Sequence, residues 1–198
     1  GSVNPDPENE FSAVIYNKNK FERLDGGTFW LSETPEIVGS VGWDAALPRI
    51  VTWAKFKSLT DQKEFFFFNT HFDHVGKTAR TNSATLLRKK IDEIASNHPV
   101  VCMGDFNSNP ETEAYQVMTS ESHQINLKDA LYLSALDHFG PMGSLTKGFT
   151  LPVVPNSRID YIFVSDEFEV EKHAILAESV DGRTASDHLA VLSRIRLK

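Results

Sequence analysis

Four short stretches carry the residues suited to chemistry. Asn69-Thr70-His71 ends an aromatic run, and Gly104-Asp105-Phe106-Asn107 ends the apolar run Val100-Val101-Cys102-Met103. Ser157-Arg158-Ile159-Asp160-Tyr161 leads into a further apolar run, and Ser186-Asp187-His188 closes a polar loop. Carboxylates, imidazoles and a carboxamide in this mixture suit metal-assisted phosphoester hydrolysis. That reaction needs hard oxygen ligands for Mg2+ or a similar ion, a group that orients or deprotonates water, and donors for the phosphoryl oxygens. A basic imidazole also gains from a carboxylate that fixes its tautomer.

Each residue type has a place in that scheme. Asp187 and His188 are adjacent, so in extended chain their side chains diverge, and one can face a metal while the other faces the phosphate. Asp160 lies between apolar residues, and a buried carboxylate is costly unless paired, which makes the His188 N–H its natural partner. Asn107 is a neutral donor, and His71 could donate to a phosphoryl oxygen or assist the leaving group. Taken singly, each stretch reads equally well as an ordinary turn, and the weight lies in the combination. His74, His98, His123, His138 and His173 have no such context and read as structural.

The elements that must position these residues follow from periodicity and turn signals. Phe11–Tyr16 reads as a strand. Phe21–Leu24 and Thr28–Leu31 read as a hairpin about Asp25-Gly26-Gly27. Residues 32–49 form a long irregular loop carrying Trp43 and Arg49. Ile50–Leu59 and Glu64–Thr70 read as strands, the second with four consecutive phenylalanines that fit burial on both faces. Lys77–Asn97 has helical spacing, with Ala84, Leu87, Ile91 and Ala95 on one face and Arg88, Lys89 and Lys90 in a solvated cluster. The Val100 run is a buried strand. Asn109-Pro110 opens a short helix to about Thr119, with the asparagine as N-cap. Residues 127–136 are partly helical, and Ile159–Ser165, Phe168–Ala177 and His188–Leu197 read as strands.

A chain of 198 residues fits one domain with a substantial core, and its 14 phenylalanines predict an aromatic one. The net charge of −7 argues against a strong general field for nucleic acid, leaving such a partner possible but disfavoured. Trp43 and Phe149 could stack on a base or sugar. Cys102 reads as a buried small hydrophobe, and no intrachain disulfide is available. No run is long and apolar enough to span a membrane. Gly1-Ser2 has the form of a tag remnant, so residues 1–9 read as that remnant and a loose terminus, and localisation is left open.

The four stretches, in this order, resemble the endonuclease/exonuclease/phosphatase superfamily, from about residue 10 to 198. Thr28–Pro35 and Pro48–Trp53 are similar to its bacterial metal-dependent hydrolase branch. The resemblance implies a four-layer α/β sandwich, two mixed sheets packed face to face with helices outside. It implies Mg2+ or Mn2+ and in-line attack of water on phosphorus. It assigns His188 as base or transition-state donor and Asp160 as its orienting partner. Asp105 and Asn107 would position water and phosphate, Asp187 would ligate or support the metal, and His71 and Arg49 would contact the phosphate. One departure stands out. Relatives begin with an asparagine-bearing strand and a Gln-Glu segment that supplies a metal ligand, and no counterpart precedes residue 10. Glu8, Glu10, Glu33 and Glu36 are in the wrong context to replace it. The expectations are a domain lacking its first strands, weak metal binding and turnover, and dimerisation through an exposed sheet edge. A non-catalytic binding module that keeps the fold is the alternative.

Overall fold

A computed structural model describes residues 11–154 and 157–198. Residues 1–10, including the expected tag remnant and Glu8 and Glu10, lie outside the described residues. The centre is a six-stranded mixed sheet. Its strands are β1 (Phe21–Trp30), β2 (Ile50–Ser58), β3 (Glu64–His71), β4 (Val100–Asp105), β5 (Leu127–Asp129) and β6 (Asp160–Ser165), in the order β1-β2-β3-β4-β6-β5. Only the β3–β4 pair is parallel; it is joined through the helix α1 (Lys77–Ala95), as a parallel crossover requires. The strands β7 (Phe168–Leu176) and β8 (Ala190–Leu197) form a separate antiparallel sheet. Two short helices, α2 (Glu113–Met118) and α3 (Ala130–Leu133), complete the described elements.

The period-2 pattern of the central strands decides the layers. Phe66, Phe68, Val100, Cys102, Tyr161 and Phe163 point to one face and pack with Ala84, Leu87 and Ile91 of α1. Phe65, Phe67, Val101, Ile162 and Val164 point to the other face, against Phe168, Val170, Ile195 and Leu197 of the small sheet. Both faces of β4 are therefore covered, as its unbroken apolar run requires. Burial pushes the Cys102 thiol up to about 12, which keeps it protonated and inert. Helices, large sheet and small sheet stack in the α/β arrangement expected.

Several local expectations fail for identifiable reasons. Residues 21–30 are one strand, not a hairpin: β2 offers a partner for nearly every residue, Gly26 opposite Ala54 and Gly27 opposite Trp53, with a bulge between Arg23 and Asp25. The ladder outweighs the local turn signal. Phe11–Tyr16 is not a strand: it makes no ladder and is held to the large sheet by side-chain contacts. Asn69 Nδ2 donates to the Ala13 carbonyl at 2.9 Å, and the Tyr16 ring lies 4.8 Å from that of Phe56. The N-cap of α2 is Thr112, whose side chain accepts from Tyr115 N–H, rather than Asn109. Arg88 does not join a solvated cluster: it is fully buried and donates to the Ile125 carbonyl.

The long loop 32–49 is clipped in place. Gly76, the N-cap of α1, has no capping side chain, and Asp44 substitutes, accepting from Ala79 N–H at 2.6 Å and Thr78 N–H at 3.2 Å. Buried Asp73 accepts from the N–H groups of Ala46, Val75 and Gly76. Such charge-assisted bonds satisfy orphan helix donors and fix the loop's path.

Gly104 is required by a close approach. It has φ +147, and a Cβ there would lie 1.9 Å from the Thr70 carbonyl oxygen on β3. Gly104→Ala is therefore expected to cost at least about 2 kcal/mol in urea unfolding. Gly39→Ala, where φ is +76 and nothing crowds the added methyl, should cost about half that.

His173 on β7 is buried, and its Nδ1 lies 3.0 Å from Nδ1 of His138. Burial first, then the neighbouring His138, push His173 down to about 4, with Asp129 raising it and Arg158 lowering it. The folded value lies below the unfolded one, so the unfolded chain takes up this proton first as pH falls. The contribution is complete above about pH 6.5 and is lost as pH drops towards 4. The unfolding free energy from urea titrations should fall over that window by roughly 1–3 kcal/mol, and His173→Gln should flatten the slope. An unchanged slope in the variant would place the acid sensitivity elsewhere.

Candidate active site

The strand register builds the site. His71, the last residue of β3, stands opposite Asp105, the last of β4, and Asp105 stands opposite Asp160, the first of β6. All three continue the rows that face the small sheet, so their side chains meet at one end of the intersheet space. His188 arrives from the loop preceding β8. These residues line a cavity of about 540 Å³, together with Asn69, Thr184, Ser186 and Glu178.

The polar contacts are mutual. His188 Nδ1 lies 2.9 Å from Asp160 Oδ2, the pairing expected from the sequence, and its Nε2 lies 3.8 Å from Asp105 Oδ2. His71 Nε2 lies 3.2 Å from the same Asp105 oxygen. Asn107 donates its backbone N–H to Asp105 Oδ1 at 2.8 Å and its side-chain amide to the Phe72 carbonyl at 3.0 Å. Its backbone adopts φ +45, a strained left-handed conformation that asparagine tolerates better than most residues. The hydrogen bond to Asp160, opposed by burial and aided by the charges of Asp160, Asp105 and Asp187, raises His188 to about 9. The ring is therefore an imidazolium at neutral pH, with Nδ1–H directed at Asp160 and Nε2–H facing the cavity side.

The other two expected residues lie close by but turn elsewhere. Asp187 is outside the trio of Asp105, Asp160 and His188, whose ligand atoms lie within 4.8 Å of one another, although its charge reaches His188. Arg49 is buried at the same sheet end, with Nη2 3.0 Å from His74 Nδ1 and Nε 3.5 Å from Asp73 Oδ1. His74 thus gains a polar role that its sequence context did not suggest.

Sequence reasoning also missed Ser144. This fully buried residue accepts from Ile159 N–H at 3.2 Å and Asp160 N–H at 3.3 Å through its hydroxyl. Its own N–H donates to the Ser157 carbonyl, and its carbonyl accepts from Leu189 N–H at 2.7 Å. One residue thereby joins the segments carrying Asp160 and His188. Nothing in Pro141-Met142-Gly143-Ser144 signals that position.

The comparisons with known proteins bear on the family and the fold. Residues 5–188 match the Endonuclease/Exonuclease/phosphatase family. The chain belongs to that family. A solved family structure from Bacteroides vulgatus is 40% identical, with a TM-score of 0.83 over 92% of this chain and 69% of that one. The mannosyl-6-phosphatase of Bacteroides thetaiotaomicron is 37% identical, also with a TM-score of 0.83, over 92% of this chain and 69% of that one. An uncharacterized protein of Acanthamoeba polyphaga mimivirus is 34% identical over 99 residues, 48% of this chain. This chain spans 36% of that curated relative's length. Family membership makes the domain a phosphoesterase-type hydrolase fold, and among the described residues no helix is long and apolar enough to cross a membrane.

Removing the Ser144 hydroxyl leaves two N–H groups short of an acceptor. Ser144→Ala is expected to destabilise the fold by about 1–3 kcal/mol in chemical denaturation. A loss below a few tenths would mean those amides find other partners.

Proposed function

We propose that this domain hydrolyses a phosphate ester of a small phosphorylated molecule, through in-line attack of water on phosphorus with a divalent cation bound. The observation that carries the reading is the convergence of His71, Asp105, Asp160 and His188 on one cavity, with His188 already paired to its carboxylate. In this scheme the His188 Nε2–H donates to a phosphoryl oxygen as negative charge builds there, and Asp160 holds the ring in that orientation. Asp105, fixed by Asn107, orients the attacking water. His71 meets the phosphate or the leaving oxygen from the β3 side, and the Asn107 amide is a neutral donor beside the anion.

The donor set fits a hard cation. Asp105 and Asp160 offer carboxylate oxygens, the ligands that Mg2+ and Mn2+ prefer, and Asp187, outside that group, adds a third negative charge beside His188. Such an ion supplies charge stabilisation at the phosphoryl group and lowers the pKa of water. The charge balance also calls for it. Three carboxylates stand against one imidazolium, which would repel an approaching phosphate.

Two observations favour a sugar phosphate or similar metabolite over nucleic acid. The net charge of −7 provides no general field for a polyanion. The mannosyl-6-phosphatase is among the most similar solved proteins. Arg49 is retained as a phosphate contact only if its guanidinium leaves Asp73 on substrate binding. A non-catalytic binding module is the less favoured reading, because His71, Asp105, Asn107, Asp160 and His188 are present and mutually paired.

A screen of sugar phosphates, nucleotides and phosphodiesters with Mg2+, with and without EDTA, tests this. EDTA-sensitive release of phosphate from a sugar ester is expected, and His188→Ala should lower kcat by about 100-fold or more while leaving the melting temperature within a few degrees. Near-wild-type turnover in His188→Ala would remove the residue from the mechanism.

A further inference from the structure

Behind Asp160, on the side away from the cavity, lies a buried ion pair with no part in the chemistry so far. Arg158 is 4% exposed, and its Nη1 donates to Asp129 Oδ2 at 2.6 Å. The same carboxylate oxygen accepts from the Tyr115 hydroxyl at 2.9 Å, and Asp129 Oδ1 accepts from Leu131 N–H at 3.0 Å. The guanidinium plane lies over the Tyr161 ring, 4.5 Å from its centroid, and near Tyr132 at 5.5 Å. Tyr161 closes the circuit, because its hydroxyl lies 2.7 Å from the Ser108 carbonyl and also within reach of the Arg158 carbonyl. Phe106 N–H donates to the Ile159 carbonyl at 2.8 Å.

The network grips both sides of the site. Arg158 and Tyr161 flank Asp160, and Ser108 and Phe106 flank Asn107. Burying two charges is costly, and well-packed apolar residues of similar volume often stabilise a fold as much or more. Stability alone therefore gives weak reason for this pair. A planar fork, by contrast, fixes orientation in a way that apolar packing does not.

We propose that Arg158, locked by Asp129, is a positioning residue. It touches no substrate, and it sets the angle at which Asp160 meets His188 and Asn107 meets Asp105. The proposal rests on the hydrolase reading for its kinetic consequence but not for its geometric one.

The test uses the full chain and the double variant Arg158→Met/Asp129→Leu, which replaces the pair by apolar residues of similar size. Arg158→Lys is the conservative single change, with the charge kept and the plane lost. The double variant should remain folded by circular dichroism and urea melts, with kcat lowered about 10- to 100-fold and KM within about twofold. Arg158→Lys should recover part of that loss. Independently of turnover, the downfield Nδ1–H proton resonance of the His188–Asp160 hydrogen bond should be sharp in the wild type and lost or broadened in the double variant. A folded double variant with wild-type kcat and an intact resonance would reduce the pair to a structural filler and overturn the proposal. If the double variant fails to fold, Arg158→Lys with an undisturbed resonance and wild-type kcat overturns it. If the wild type turns over no ester, the hydrolase reading fails while the resonance still decides the positioning claim.

Discussion

Two carboxylates occupy neighbouring register positions at the end of the central sheet, and the imidazolium of His188 is what makes that arrangement tenable. Asp105 and Asp160 face each other across the β4–β6 ladder, each only partly exposed. Like charges so placed in a partly desolvated cleft repel each other. His188 reaches both, at 2.9 Å and 3.8 Å, and its proton is held tightly in return. The pairing is a constraint on the fold as well as on the site. The loop before β8 must be delivered to the mouth of the large sheet, and Ser144 does this by bonding the start of β6 and the residue after His188 together. The small sheet cannot shift relative to the large one without separating His188 from its carboxylates.

What the sequence made legible follows from the range of the forces involved. The unbroken apolar runs of β3 and β4 were readable as strands covered on both faces because each strand's burial is written in its own residues. The Asp160–His188 pair was readable too: a carboxylate between apolar neighbours demands a partner, and few candidates existed. Failures came where a distant partner overrode a local preference. Asp25-Gly26-Gly27 has turn chemistry, yet β2 supplies a continuous ladder for it. Phe11–Tyr16 has strand chemistry, yet its ties to the large sheet are side-chain contacts such as Asn69 to the Ala13 carbonyl. Arg88 sits among exposed cations in sequence, and only the approach of residues 123–125 to α1 explains its burial. Ser144, Asp129 and Tyr115 were invisible as supports of the site because their partners lie 14 to 29 positions away, with no local signal to mark them.

The acidic composition takes on a different meaning once the partners are known. Asp44, Asp73, Asp92 and Asp129 each accept from two or more donors, chiefly backbone N–H groups at loop and helix ends. These four aspartates are therefore structural, placed where the chain would otherwise leave donors unsatisfied. It does not describe a field spread over the surface for steering ligands.

A few acids lie in the site itself, and there the charge has a mechanistic implication. On the proposed reading, a phosphate ester must approach Asp105, Asp160 and Asp187 with the His188 imidazolium to offset them. In water, screening weakens such repulsion, but a cleft between two sheets screens poorly. Arg49, the buried cation at this sheet end, is already engaged by Asp73. A site of this composition binds an anion well only when a cation of higher charge joins the carboxylates. On the proposed reading, the same carboxylates that repel the substrate alone would retain that cation, which makes an acid-rich geometry compatible with phosphate chemistry.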